Sequence, residues 1–133
     1  MNWHLDTNTC IYFLKGKSEV LAQHFRSKAP AELQISALVS GELLLGAEKS
    51  EHRRQVLPKV QAFLEFFEIM PFDHATAGIY AKLRADLEQK GQVIGPNDMI
   101  IAATALANHA TLVTHNLKEF KRVKGLKVED WLE

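Results

Sequence analysis

Short apolar runs that break off at turn-and-cap residues, each followed by a helical pattern, restrict the fold of this chain more than any other feature. Residues 2–5 read as a strand that Asp6-Thr7-Asn8 terminates, and a helix follows over 10–14, stopping at Lys15-Gly16. Val20, Leu21 and Phe25 give a second helical face over 18–27. Residues 33–35 are the next strand candidate, and Ser36 is a natural N-cap for a helix over about 37–47. Val56, Val60, Phe63 and Leu64 repeat near a 3.6 period over 52–66, where Pro58 either kinks the helix or marks its true start. A strand over 67–70 precedes a long helix over 73–90 that Gly91 caps. Gly95-Pro96-Asn97-Asp98 leads tightly into an apolar helix over 99–108. A strand over 111–114, a short helix over 117–121 and a last strand over 126–128 complete the order. This alternation predicts an α/β fold, a parallel sheet covered on both faces, with ligands beyond the carboxyl ends of the strands.

A chain of 133 residues, 47% hydrophobic and 24% charged, makes one domain with a real core. No apolar stretch approaches the ~20 residues that span a bilayer. The first residues show neither a basic region nor an apolar signal segment, so the expected setting is the cytoplasm, away from any membrane. One cysteine, Cys10, excludes an internal disulfide and a cysteine-based zinc cluster. Sixteen basic residues balance sixteen acidic ones, so bulk charge does not advertise a nucleic-acid partner. Lys118, Lys121, Arg122, Lys124 and Lys127 nevertheless fall within ten residues, a run that is either a solvated face or a phosphate track.

Four oxygen-bearing residues lie against apolar segments. Asp6 ends Trp3-His4-Leu5, Glu42 stands between Ala37-Leu38-Val39 and Leu43-Leu44-Leu45, Asp98 opens Met99-Ile100-Ile101, and Asn116 follows Thr111-Leu112-Val113-Thr114. A buried carboxylate costs several kcal/mol or more unless a cation or hydrogen-bond donors compensate it. Singly, each has a structural reading: Asp6, Asp98 or Asn97 as helix N-caps worth roughly 1 kcal/mol, Asn116 as a turn residue. Glu42 is the hardest to read so, because it must either point out of an otherwise apolar helix or be bound inside it. Together the four converge on one sheet edge, and an oxygen-only set suits a hard ion such as Mg²⁺ or Mn²⁺. The histidines show no H-x-H or H-E-x-x-H spacing, and no G-x-S-x-G elbow or glycine-rich phosphate loop is present. His115, alone between Thr114 and Asn116, reads as a loop residue.

The segments Leu5-Asp6-Thr7-Asn8, Ser40-Gly41-Glu42-Leu43 with Gly46-Ala47, and Gly95-Pro96-Asn97-Asp98-Met99-Ile100-Ile101-Ala102-Ala103 resemble those of PIN-domain ribonucleases. The tail, Leu112-Val113-Thr114-His115-Asn116, Glu119-Phe120, Val123, Gly125-Leu126 and Glu129-Asp130-Trp131, extends the likeness to the VapC toxins of type II toxin–antitoxin systems. The resemblance covers essentially the whole chain, residues 1–133, as a single PIN domain. It implies a three-layer α/β/α fold around a parallel sheet of about five strands. It implies catalysis by Asp6, Glu42, Asp98 and Asn116, with Asp6, Glu42 and Asp98 ligating Mg²⁺ or Mn²⁺ directly or through water. The amide at Asn116 leaves three formal negatives rather than four, which favours one ion before substrate arrives. Thr7, Asn8, Ser40 and Thr114 are candidates to orient the ligands, each with an equal claim as a turn or cap residue. Glu119 is an outer candidate, with a solvent-facing helix position as the competing reading.

Metal-activated water predicts RNA cleavage to 5′-phosphate and 3′-hydroxyl ends. Lys118, Lys121, Arg122 and Lys124 are the candidates to track RNA phosphates, and nothing in the chain reads a base sequence unaided. The resemblance implies a homodimer, a cognate antitoxin that inserts a basic residue among the acids, and a structured tRNA as target. Initiator tRNA, cut in its anticodon loop, is the specific expectation. Ile11, Phe13, Leu14 and residues 43–45 are the candidate lining of the antitoxin groove, or else core. The alternatives are the same chemistry on mRNA or rRNA, and a non-catalytic module whose acids cap helices and dock a basic peptide.

Overall fold

The computed structural model describes residues 1–132. Each β-strand is short and its flanking residues decide where the next helix begins. β1 (Trp3–Leu5) ends at Asp6, whose Oδ1 accepts a 2.9 Å hydrogen bond from the Thr9 amide and caps α1 (Thr7–Lys15). The helix therefore starts three residues before its apolar pattern does, because the cap and not the apolar stripe sets its first turn. Ser18 and Ser36 cap α2 (Glu19–Ser27) and α3 (Ala37–Glu48) in the same way, accepting from Leu21 and Val39. Between them a 3₁₀ turn, Pro30–Glu32, delivers β2 (Leu33–Ser36). α4 (Arg53–Leu64) runs through Pro58 rather than starting there. The carbonyl left without a donor four residues earlier belongs to the exposed Arg54, so water can satisfy it.

β3 (Glu68–Met70) leads into α5 (His74–Gln89), capped by Asp73 through Thr76. At its far end Gly91 takes φ +66°, and the Gly91 and Gln92 amides bond back to Glu88 and Leu87, as expected of a glycine cap. α6 (Pro96–Ala107) begins three residues before its apolar run, with Gly95 as N-cap and Pro96 in its first turn. Asp98 is thus not an N-cap; it lies inside the first turn and makes no capping bond. β4 (Thr111–Val113), α7 (Leu117–Phe120) and β5 (Val128–Glu129) follow. The last strand sits two residues beyond its expected start, because Leu126 closes a turn onto Val123 before pairing begins.

All four strand pairings are parallel, in the order β3-β2-β1-β4-β5. Leu5, Ile35, Leu112 and Val113 in the sheet are fully buried, and α6 contributes Met99, Ile101, Ala102, Ala103 and Ala105 to the same core. The chain builds outward from β1 to β3 and then returns to β1's other side as β4. The switch point lies between β1 and β4, where a crevice opens at the carboxyl ends of the strands.

Candidate active site

Asp6 and Asn116 flank that crevice, one directly after β1 and the other three residues after β4. The Asp6 amide donates to Val113 O at 3.1 Å, extending the β1–β4 ladder and holding the aspartate at the crevice floor. Its side chain is 7% exposed, and Oδ1 serves Thr9 while the carboxylate makes no other hydrogen bond within the described residues. The cap reading and the site reading are therefore compatible, since the cap engages Oδ1 and leaves Oδ2 free.

Glu42 projects from α3 and is held at both oxygens. Thr7 Oγ1 donates to Oε1 at 2.5 Å and Asn97 Nδ2 donates to Oε2 at 3.2 Å. These bonds link α1, α3 and the first turn of α6 around one carboxylate. Glu119 makes the corresponding link on the other side: it accepts from the Gly95 amide at 3.0 Å and from the Asn116 side chain. It is half-buried and turned to the crevice rather than to solvent. With Asp6, Glu42 and Asp98 it gives the crevice four carboxylates, restoring the charge that the amide at 116 withholds.

None of the four carboxylates pairs with a lysine or arginine among the described residues. The consequence falls on Asp98. Burial, then the charges of Glu119, Asp6 and Glu42 in that order, together with a hydrogen bond to Glu119, hold its carboxyl up to about 6. Mutual repulsion without a counter-charge is the signature of a cation-binding cluster or of a shared-proton pair. No group of three or more His, Cys, Asp or Glu side chains among the described residues is close enough, as they stand, to hold a metal ion by direct ligation alone. The donor set is all oxygen and several oxygens are engaged by amides and hydroxyls. That fits an ion that retains most of its water, as Mg²⁺ does.

Other sequence candidates separate cleanly. Thr7 acts on Glu42 directly. Thr114, fully buried, accepts from the Asn116 amide at 3.0 Å and shapes the loop that carries Asn116. Ser40 bonds back to Ala37 O in its own helix, and Asn8 is exposed and joins none of the site's hydrogen bonds. Asn97 had no role in the sequence reading beyond a possible cap. The signal was its place beside Asp98, where an amide one residue ahead in a first helical turn reaches across to the neighbouring helix. Among the basic candidates, Lys118 and Lys121 are exposed on or beside α7. Arg122 instead donates to Val93 O at 3.1 Å and ties the end of α7 to the segment before α6. Lys124 lines a cavity with Ile79, Leu83 and Leu106, against α5.

This topology, with carboxylates from β1, α3 and α6 meeting at the β1–β4 switch point, defines a class, and comparison agrees: the chain belongs to the PIN-domain family, whose model matches residues 4–126. Within that family it groups with the VapC ribonucleases of VapBC toxin–antitoxin systems. It is 40% identical to ribonuclease VapC2 of Rickettsia felis over 132 residues, covering 98% of each chain. It is 37% identical to the tRNA(fMet)-specific endonuclease VapC of Salmonella typhimurium, again over 98% of each. The solved DNA-bound VapBC complex of Salmonella typhimurium superposes with a TM-score of 0.93 at 37% identity, covering 98% of both chains.

Proposed function

We propose that this ribonuclease toxin is a Mg²⁺-dependent endonuclease of tRNA, with Asp6, Glu42 and Asp98 as the ion's ligands, Mn²⁺ as a substitute, and Asn116 completing the site. The observation that carries the reading is the set of four carboxylates in one crevice with no basic partner among the described residues. A divalent ion bound there supplies an acidified water and neutralises charge on a phosphodiester. The chain's own residues do the rest. Thr7 and Asn97 keep Glu42 in a fixed orientation, Thr9 anchors Asp6, and Glu119 sets Asn116 against the mouth of α6. One carboxylate would accept the proton of the attacking water as its oxygen bonds to phosphorus and the P–O3′ bond breaks; the departing 3′ oxygen takes a proton from solvent, which leaves 5′-phosphate and 3′-hydroxyl ends.

The target is initiator tRNA, cleaved in the anticodon loop. Support for the tRNA comes from the relative in Salmonella typhimurium, which is named as specific for tRNA(fMet) and matches over 98% of each chain. An apolar groove lined by Ile11, Leu14, Leu43 and Val60 also takes in Glu42, with Lys15 and Lys59 among its other lining residues, and an antitoxin strand would lay apolar side chains in it with one basic side chain against Glu42. Phe13 does not share that groove; it stacks on Phe25 with centroids 4.0 Å apart. The toxin acts as a homodimer in the cytoplasm; no helix among the described residues is long and apolar enough to cross a membrane.

The test is cleavage by antitoxin-free protein of initiator tRNA, elongator tRNA, mRNA and rRNA with Mg²⁺, with sequencing of the new 5′ ends. Cuts confined to the initiator anticodon loop, lost in EDTA and restored by Mn²⁺, are the expected result. Dominant cuts in mRNA or rRNA would remove the tRNA assignment, and activity that survives EDTA would remove the metal.

A further inference from the structure

His115 is not the unsupported loop residue that its sequence position suggests. Its Nδ1 lies 2.8 Å from Asp130 Oδ2, while Asp130 Oδ1 accepts from the Leu132 amide at 2.9 Å. The Asp130 side chain is 6% exposed and that of His115 58%. The carboxylate is thus the fixed member, buried and held at Oδ1 by the Leu132 amide in the turn after β5, and its Oδ2 aims an exposed imidazole. An ionised carboxylate only accepts, so in the neutral ring Nδ1 carries the hydrogen and Nε2 is left as an acceptor. Nε2 has no protein partner among the described residues.

The placement matters because Asn116 is the next residue, with a Cα about 3.8 Å away, and the Asn116 side chain bonds to Glu119 in the crevice. β4 and β5 are parallel neighbours, so His115 and Asp130 stand on the same carboxyl edge as the acids. A strand laid along that edge offers many acceptors on its phosphates and one recurrent backbone donor, the ribose 2′-hydroxyl, which is also what separates RNA from DNA.

We propose that His115, oriented by Asp130, accepts a hydrogen bond from a ribose 2′-hydroxyl beside the scissile phosphate and so helps the site select RNA over DNA. This rests on the ribonuclease reading of the neighbouring carboxylates. His115 binds substrate and does not enter the bond-making step, and Asp130 is a positioning residue.

The experiment is a double-substitution cycle on a cleavable RNA oligonucleotide, with single 2′-deoxy replacements scanned across the cut site. Wild type is expected to lose roughly threefold to tenfold in kcat/KM at one deoxy position, the range of one neutral hydrogen bond. His115→Ala, at an exposed side chain, folds normally, loses a similar factor through KM on all-ribose RNA, and is indifferent to the deoxy replacement at that position. His115→Phe, which keeps a ring and loses Nε2, behaves as His115→Ala. Recovery in His115→Phe would overturn the proposal in favour of stacking. An unchanged deoxy penalty in His115→Ala, with a shallower salt dependence, would overturn it in favour of a phosphate contact. Wild-type rates in His115→Ala would also overturn it. A wild type that cuts no RNA at all would bring down the ribonuclease reading itself, and this inference with it.

Discussion

The two ends of α6 each hold a residue at odds with its surroundings, and the discord differs in kind. At the amino end Asp98 sits half-buried among three other carboxylates, its own carboxyl held up to about 6. At the carboxyl end His109 takes φ +52°, a left-handed conformation usual for glycine. Its amide and that of Ala110 bond back to Leu106 and Ala105, the same closure that Gly91 makes after α5. The strain at His109 is conformational and local, and nothing in the crevice depends on it. The strain at Asp98 is electrostatic, and it is shared by residues from β1, α3 and α7. Folding alone explains the helix cap. The acid cluster calls for something folding does not supply, a cation or a proton shared between Asp98 and Glu119.

Asp98→Asn should produce the largest effect and separates the two ends most sharply. RNA cleavage should fall by at least about 10²-fold, since a charged ligand of the proposed ion is replaced by an amide. Metal-free stability should move the other way, rising by about 1 kcal/mol near neutral pH once screening at a half-exposed group is allowed for. The sign follows from the raised carboxyl. A folded-state value near 6, above an unfolded value near 4, means that the folded protein binds the extra proton. Wild-type stability therefore improves as pH falls from about 7 towards 4, and Asp98→Asn should flatten that part of the curve. Chemical denaturation across pH in EDTA checks it. A variant less stable than wild type at pH 7 would show that the cluster is not repulsive in the free protein.

Glu119→Ala tests whether the repulsion is communicated as the geometry says. Glu119 is the largest charge acting on Asp98, and it also holds Asn116 and the Gly95 amide. Removing it should lower the midpoint of Asp98, read by NMR titration of the metal-free protein, while cutting activity about tenfold through loss of second-sphere order. An unmoved Asp98 midpoint would confine Glu119 to a structural brace.

The cluster was legible in sequence because each acid interrupts an apolar run, and the run has to be buried. Asp6 and Asp98 were marked by the strand or helix beside them. Glu119 was less visible because its helix is one turn long and flanked by Lys118 and Lys121, which make any carboxylate there look solvent-facing. Only the third dimension turns it inward. Asn97 and the His115–Asp130 pair escaped for a similar reason: their partners lie 55 and 15 residues away. Helix starts were misplaced by up to three residues where Asp6 and Gly95 set the first turn ahead of the apolar pattern. A cap is a single residue, whereas a period needs several turns to show.

His109→Gly gives the smallest expected change and completes the comparison. Relief of a left-handed β-carbon is worth roughly 1–2 kcal/mol, and the extra freedom that glycine has in the unfolded chain returns about 0.5–1 kcal/mol of that. The variant should therefore unfold at slightly higher denaturant, with a net gain of about 0.5–1 kcal/mol. Its cleavage rate should match wild type, because no side chain of the crevice touches the cap. Substitution at the amino end of α6 trades activity for stability, whereas substitution at the carboxyl end should yield stability alone. A His109→Gly variant that lost activity would show that the cap sets the position of the helix, and hence of Asp98, and the two ends would no longer be independent.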